Sequence, residues 1–408
     1  MNIFNEGYKK SKIFFKKANG SNIFDKKNTK YLDLTSAGGT SLLGHNNKVF
    51  KNSIKSFLKR KFSNFALPNI HANHFSQNLT RILPQFSKFI FCNSGAEANL
   101  KAIRIARAVT KKDKIVNITG SWHGSIDQFL FTSGKNYQKI KLSDGLENNI
   151  ENKLIYAPYN DFKKTKKILE KNKKNICCVI IEPVQGCLPS DNNMDYLSSL
   201  SNYCRKKNII LILDEIITGL RTDCSSVQNK YNLYSDISTF GKVFGNTLPI
   251  AFIGITKKIE KKILDKKIKV FFGGTFSGNS LSMHVANEFL KFVIKSKKKI
   301  FSNLEEKSLK FCDKMNNYIN DNNINARVIR FGSVIRLIFS NHNPKNRLQR
   351  DFFEKKNSSK RAKFINFLKK NKIIFPSNGI IFFNTSIKTK EINILIKTMI
   401  KGLNIYFK

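Results

Sequence analysis

Residues Ile209–Glu215 read IILILDE, five apolar residues that run without a break into two carboxylates. A short β-branched run of this kind suits a strand buried on both faces. Ligands of open α/β sheets gather beyond the carboxyl ends of the strands, where this run places its two acids. Adjacent strand residues point to opposite faces, so Asp214 and Glu215 cannot serve as one acid–base pair. One of them faces a site and the other a structural partner, and a buried Asp there needs a cationic partner.

Working outward, comparable runs occur at Phe89–Cys92, Ile115–Ile118, Cys177–Ile181, Asp236–Phe240 and Ile250–Ile255. Helix-like segments lie between them, near Glu97–Val109, Phe162–Lys171, Tyr196–Lys207 and Lys257–Lys267. Strand and helix alternate as in a mostly parallel sheet covered on both faces, which predicts an α/β fold with a large domain over residues 46–290. Residues 1–45 are expected to form a hairpin, Asn22–Phe24 with Tyr31–Leu34, and are too short to be independent, so they are expected to pack on the C-terminal part. From Lys291 to residue 408 the pattern is that of a smaller α+β domain: a long Lys-rich helix, a strand pair around Ala326–Phe339, a helix near Lys360–Asn371 and a final helix after Thr389. The polar stretch Asn341–Asn357 is expected to be a mobile loop.

The 408 residues carry 73 Lys and Arg against 28 Asp and Glu, a net charge of +45. Charge of that size alone suggests a nucleic-acid or anionic-membrane partner. Its distribution argues otherwise, since lysines recur throughout the chain beside Ile, Asn and Phe, as solvated surface positions would. Basic residues vanish from Asn175–Cys204, Asn208–Leu220, Val270–Leu290 and, apart from Lys242, Tyr231–Thr256, which points to sites there. The seven cysteines show no metal-ligand spacing and read as reduced thiols of a cytosolic protein, with no metal expected. Met1–Lys17 lacks the apolar core of a secretory signal, and no stretch is long and apolar enough to span a bilayer.

Four further segments carry chemistry. Ser94, Gly95 and Ala96, within NSGAE, follow a strand and open a helix, where free backbone N–H groups can bind a phosphate; tight packing also favours small residues there. Trp122, the only tryptophan, lies in GSWHG between glycines that admit a flat ligand, with His123 beside it. Lys242 lies 28 residues after Asp214, flanked by Gly241 and Gly245, a setting that lowers an amine pKa and makes it nucleophilic. The loop GGTFSGN, with Thr275, is either a second phosphate contact or a plain turn.

Together these segments resemble class III aminotransferases, closest to the glutamate-1-semialdehyde aminomutase branch. The matching stretches are NSGAEANLKAIRIARAVTKKDKI, GSWHGS, IIEPVQG, LILDEIITGLR, STFGKVFGNTLPIAFIGI and GGTFSGNSLSM, with YLDLTSAGGTSLLGHNN as a looser match. The resemblance implies a type I pyridoxal-phosphate fold and a homodimer with shared active sites, each borrowing Thr275 from the partner. It implies pyridoxal 5'-phosphate held at Ser94, Gly95 and Ala96, with Trp122 stacked on the pyridine ring and Gln185 of EPVQG at the ring hydroxyl. Asp214 then bonds the ring nitrogen, and Lys242 forms the internal aldimine from which an amino group passes through pyridoxamine phosphate.

Three departures bear on the substrate. The aminomutases carry a Ser-Pro-Val-Arg-like N-terminal segment, a Trp before the residues matching Gly39, and an acidic residue near Asn378, and this chain has none of them. Gln185 is the residue of ordinary aminotransferases of the class. The leading expectation is therefore amino transfer on a small amino or oxo substrate, within one molecule as in the aminomutase or between two molecules. A basic nucleic-acid-binding protein is the alternative from another class, with 35 phenylalanines as potential stacking surfaces but no RNA- or DNA-binding motif.

Overall fold

The structure, a computed structural model, describes residues 13–60 and 67–408. Of the Met1–Lys17 stretch read above for a secretory signal, residues 1–12 lie outside the described residues. A seven-stranded sheet runs in the order Lys88–Cys92, Ala251–Ile255, Ile237–Gly241, Ile210–Asp214, Ile176–Ile181, Lys114–Ile118 and Leu154–Ala157. Ala251–Ile255 is antiparallel to both its neighbours, and the other pairings are parallel. The six strands expected from apolar runs are all present. The seventh, Leu154–Ala157, is an edge strand of four residues, too short for its periodicity to stand out.

The Ile210–Asp214 strand shows why its sequence is apolar throughout. Ile210 and Ile212 pack on one face with Ala98, Ala102 and Ala106 of the helix Gly95–Thr110. Leu211 and Leu213 pack on the other with Leu197, Leu200 and Cys204 of the helix Met194–Lys207. Alanines four apart put the first helix close to the sheet, and the Ser94 side chain caps it by accepting from the Glu97 amide at 3.2 Å.

The helix Ser280–Asp321 is 42 residues long and begins 11 residues before Lys291, the point at which the Lys-rich pattern sets in. Its buried residues, among them Met283, Phe289, Leu304 and Phe311, share one core with Phe240 and Phe252 of the sheet, with Phe244 of the turn Lys242–Gly245, and with Phe383, Leu395 and Met399 near the C-terminus. Phe240 stacks on Phe252 with ring centroids 5.0 Å apart, so these phenylalanines are core and not a stacking surface for bases. A three-stranded sheet, Arg327–Phe331, Val334–Ile338 and Ile380–Phe382, forms the C-terminal part. The N-terminal hairpin pairs Asn22–Asp25 with Lys30–Asp33, whose Leu32 lies in register with Ile373 of a parallel C-terminal strand.

Residues 341–357, expected to be a mobile loop, contain the helix Arg347–Lys355. Its polar residues are paired in the interior: the buried Glu354 lies 3.2 Å from Arg336 and 3.6 Å from Arg350, and accepts from the Phe339 amide at 3.1 Å. Composition cannot distinguish such a network from solvated charge. Among the described residues no helix is long and apolar enough to cross a membrane, and no cluster of metal ligands occurs.

Candidate active site

The carboxyl ends of the parallel strands converge on Asp214. Its Oδ2 accepts from Asn99 Nδ2 at 2.7 Å and lies 2.7 Å from His123 Nδ1, and its Oδ1 accepts from the Ile216 amide at 3.0 Å. Asn99 is itself fixed, donating to the His123 carbonyl at 3.0 Å and accepting from Thr239 Oγ1 at 2.8 Å. His123 and Asn99 are thus the hydrogen-bond partners that hold the buried Asp214 carboxylate. Glu215 points the other way, as strand geometry dictates. It accepts from Thr218 Oγ1 at 2.6 Å and from the Val227 and Gln228 amides at 3.0 and 2.9 Å, and burial pushes its pKa up to about 7.

Lys242 follows directly on the Ile237–Gly241 strand, at a left-handed φ of 47°. Burial lowers its pKa, while Asp214 and Glu182 oppose the shift and Arg221 adds to it. An amine so placed is deprotonated more readily than a surface lysine, which a nucleophilic role requires. A Cβ on Gly241 or Gly95 would lie 3.2 or 3.1 Å from Ile216 Cδ1, so the Lys242 turn and the start of the 95–110 helix close on the same side chain.

The two loops singled out by their glycines also meet. A Cβ on Gly124, at φ +94°, would lie 2.7 Å from Ala96 Cβ, which brings the Trp122 loop against the helix N-terminus. Trp122 is 50% exposed, and its amide donates to Glu182 Oε1 at 2.6 Å. Glu182 also accepts from the Gly186 amide at 2.9 Å, and burial pushes its pKa up to about 7. Gln185, fully buried, donates to the Thr119 carbonyl at 2.8 Å and lies against Gly120.

Ser94, Gly95, Ala96, Trp122, Gln185, Asp214 and Lys242 are therefore gathered at one end of the sheet. Thr275 is exposed, on a loop that flanks the same helix farther along, where Lys101 donates to the Phe272 carbonyl at 2.8 Å. Asn99, Glu182 and Thr239 are the polar groups that sequence reasoning passed over. Asn99 left one signal, a polar residue on the buried face of an alanine-rich helix, and Glu182 stood inside the EPVQG motif.

Residues 3–391 match the family model described as aminotransferase class-III. The chain belongs to this family. As a class III aminotransferase it is an enzyme that uses pyridoxal phosphate and acts on small amino or oxo compounds. Its relatives include a glutamate-1-semialdehyde 2,1-aminomutase of Wigglesworthia glossinidia brevipalpis, 33% identical over 336 residues that make up 81% of this chain and 76% of the relative. Another relative of that name, from Nitrosopumilus maritimus, is 32% identical over 93% of this chain and 89% of its own. The fold is that of an omega-transaminase from Sphaerobacter thermophilus, with a TM-score of 0.87 at 20% identity over 96% of this chain and 91% of the other. A glutamate-1-semialdehyde aminomutase from Pseudomonas aeruginosa matches with a TM-score of 0.85 at 17% identity, over 96% and 87% of the two chains. The α/β fold expected from the apolar runs and from the class III resemblance is thus the fold of this class III enzyme.

The residues present fit the cofactor. The first intrahelical bond of the 95–110 helix runs from the Ala98 amide to the Ser94 carbonyl and the Glu97 amide donates to Ser94 Oγ, which leaves the Gly95 and Ala96 amides at the helix start available to a phosphate. Gly120 and Gly124 let their loop close on Gln185 and on Ala96 where a Cβ would find no room, and so hold it against the helix start, at the end of the sheet that carries the anchored Asp214 and the partly buried Lys242.

Proposed function

We propose that this class III enzyme relocates an amino group on a small amino or oxo acid in the manner of a glutamate-1-semialdehyde 2,1-aminomutase, with Lys242 as the covalent anchor of the cofactor. One observation carries the reading: a lysine with a lowered pKa stands beside a buried carboxylate that Asn99 and His123 hold in place. When bound, pyridoxal phosphate supplies an electron sink for the carbanion formed at the substrate carbon. Asp214 would hold a proton at the ring nitrogen and so keep that sink strong. The Lys242 amine, its pKa lowered by burial, would move the proton at the substrate carbon as base and then as acid.

In this reading the amides of Ser94, Gly95 and Ala96 take the phosphate, Trp122 covers one face of the ring and Gln185 meets the ring hydroxyl. Thr275 of the partner subunit completes the site of a homodimer. Exposed Phe271 and Phe276 on the Thr275 loop, and Leu67 and Ile70 beside it, support a buried contact between copies, since Asn69 Nδ2 donates to the Gly278 carbonyl at 2.9 Å and ties the two segments together. We also read residues 46–290 as the cofactor-binding domain, 291–408 as the smaller one and 1–45 as packed with it. The seven free cysteines favour a reducing, cytoplasmic setting.

Transfer between two molecules is the second reading. It is favoured by Gln185 and by Gly38, where the aminomutases carry Trp and where a Cβ would meet nothing within 4 Å. The visible spectrum of wild type and Lys242→Ala with added cofactor, before and after an amino donor, tests the common core. A band present in wild type, lost in the variant and bleached by donor is expected, and no lysine-dependent band would overturn the reading. Bleached enzyme that recovers only with an added oxo acid would favour the second reading.

A further inference from the structure

Arg221 is the most completely buried cation among the described residues, 1% exposed, and no carboxylate contributes to its ionisation. Its Nη2 donates to the Gly39 carbonyl, and the guanidinium lies over the Phe382 ring with its carbon 4.9 Å from the ring centre. Among the described residues Nε and Nη1 have no hydrogen-bond partner. Burial pushes its pKa down to about 9. Other buried cations are matched: Arg336 and Arg350 share Glu354, and Lys101 pairs with Glu97 at 2.5 Å. A buried guanidinium without a counter-ion is costly, because its N–H groups forgo water and receive no charge in return.

Its surroundings say what the charge serves. Arg221 lies seven residues beyond Asp214 and is close enough to Lys242 to lower the lysine pKa. The segment Ser36–Gly39, whose Gly39 covers it, packs against both the Lys242–Gly245 turn and the strand Ile380–Phe382. That cover is thin: Ala37 and Gly38 are exposed, both in left-handed backbone, with open space around the Gly38 position.

We propose that Arg221 is the substrate-carboxylate site of this enzyme, its unshared N–H groups receiving a carboxylate of the molecule whose amino or oxo carbon is presented to Lys242. The assignment rests on the amino-transfer reading above and names the substrate class: an amino or oxo acid, not a simple amine. One unbalanced positive charge matches a monoanion such as a carboxylate better than a phosphate, which carries close to two charges. The Phe382 ring and the Gly39 carbonyl hold the guanidinium plane, so the fork is oriented before the ligand arrives.

The test is calorimetric titration of the holoenzyme with glutarate, which has carboxylates but no amine, and with its uncharged diamide. Wild type is expected to bind glutarate at least tenfold more tightly than the diamide. Arg221→Met should abolish that difference while leaving the cofactor absorption band in place. Arg221→Lys, which keeps the charge but loses the fork, should weaken glutarate several-fold and provides the measurement if the Met variant does not fold. Equal affinities in wild type, or either variant binding glutarate as wild type does, would overturn the assignment. A wild type with no lysine-dependent band fails earlier, at the amino-transfer reading, whereas a normal band without discrimination fails only the Arg221 assignment.

Discussion

Asn99 makes the hydrogen bonds that hold Asp214 in place, donating to the carboxylate and the His123 carbonyl while accepting from Thr239. Asn99→Ala should leave Thr239 Oγ1 and one lone pair of Asp214 without partners, at a cost of about 1–3 kcal/mol in a urea melt of the apoprotein. It should also lower kcat more than it raises KM; an unchanged kcat would show that Asp214 does not need this support. Glu215 yields a pH prediction. Its pKa is raised from 4.5 to about 7 by burial, so between these values the native state holds a proton that the unfolded chain has lost. The associated stability is fully present below about pH 4.5 and is lost as pH rises through about 7. Between pH 5 and 8 the melting temperature of wild type should therefore fall relative to that of Glu215→Gln, and parallel curves would contradict the raised pKa. Asp214, Glu215 and Lys242 were legible because strand alternation and a lysine isolated in an apolar stretch are local signals. His123 and Asn99 were not legible as Asp214's partners, because they lie 91 and 115 residues away in the chain and only folding brings them together.

At the scale of elements, the start of the helix Gly95–Thr110 and the Gly120–Gly124 loop act as one unit. Gly124 sits at φ +94° with no room for a side chain against Ala96, so Gly124→Ala must shift the loop, the helix start or both. A backbone strain of about 1–3 kcal/mol taken from cofactor binding corresponds to roughly five- to a hundredfold in affinity. Fluorescence titration of the single tryptophan with pyridoxal phosphate reads this directly, and an unchanged dissociation constant would detach the loop from the phosphate site. The strands of the sheet were readable because burial on both faces removes polar residues from them, as the Ile210–Asp214 packing shows. Two elements were misread for opposite reasons. The helix Ser280–Asp321 begins within a stretch free of Lys and Arg, where its buried turns lack the Lys-rich signature, whereas Arg347–Lys355 is so charged that its interior ion pairs looked like solvent exposure.

The whole molecule carries an unusual charge, and even if every one of the 28 acids paired, 45 of the 73 basic side chains would have no partner. The Lys-poor stretches of the sequence coincide with the strands Ile176–Ile181, Ile210–Asp214 and Ile237–Gly241 and with the loops that follow them, so the excess lies away from the site. Exposed pairs such as Lys164–Asp161 at 3.3 Å offset little of the repulsion. Raising the ionic strength from about 0.02 to 0.2 M shortens the Debye length from about 20 to about 7 Å. Repulsion between surface lysines farther apart than that is then screened, and the melting temperature should rise by a few degrees as salt is added. The same screening separates the enzyme reading from the nucleic-acid one. Oligonucleotide binding to a diffuse basic surface should show no sequence preference and vanish over that range, while the cofactor band and the half-reaction persist, because the bonds around Asp214 and Lys242 are buried and little screened. Binding that kept a sequence preference at 0.5 M salt would mean that the charge serves a specific nucleic-acid site in addition to the amino-transfer chemistry.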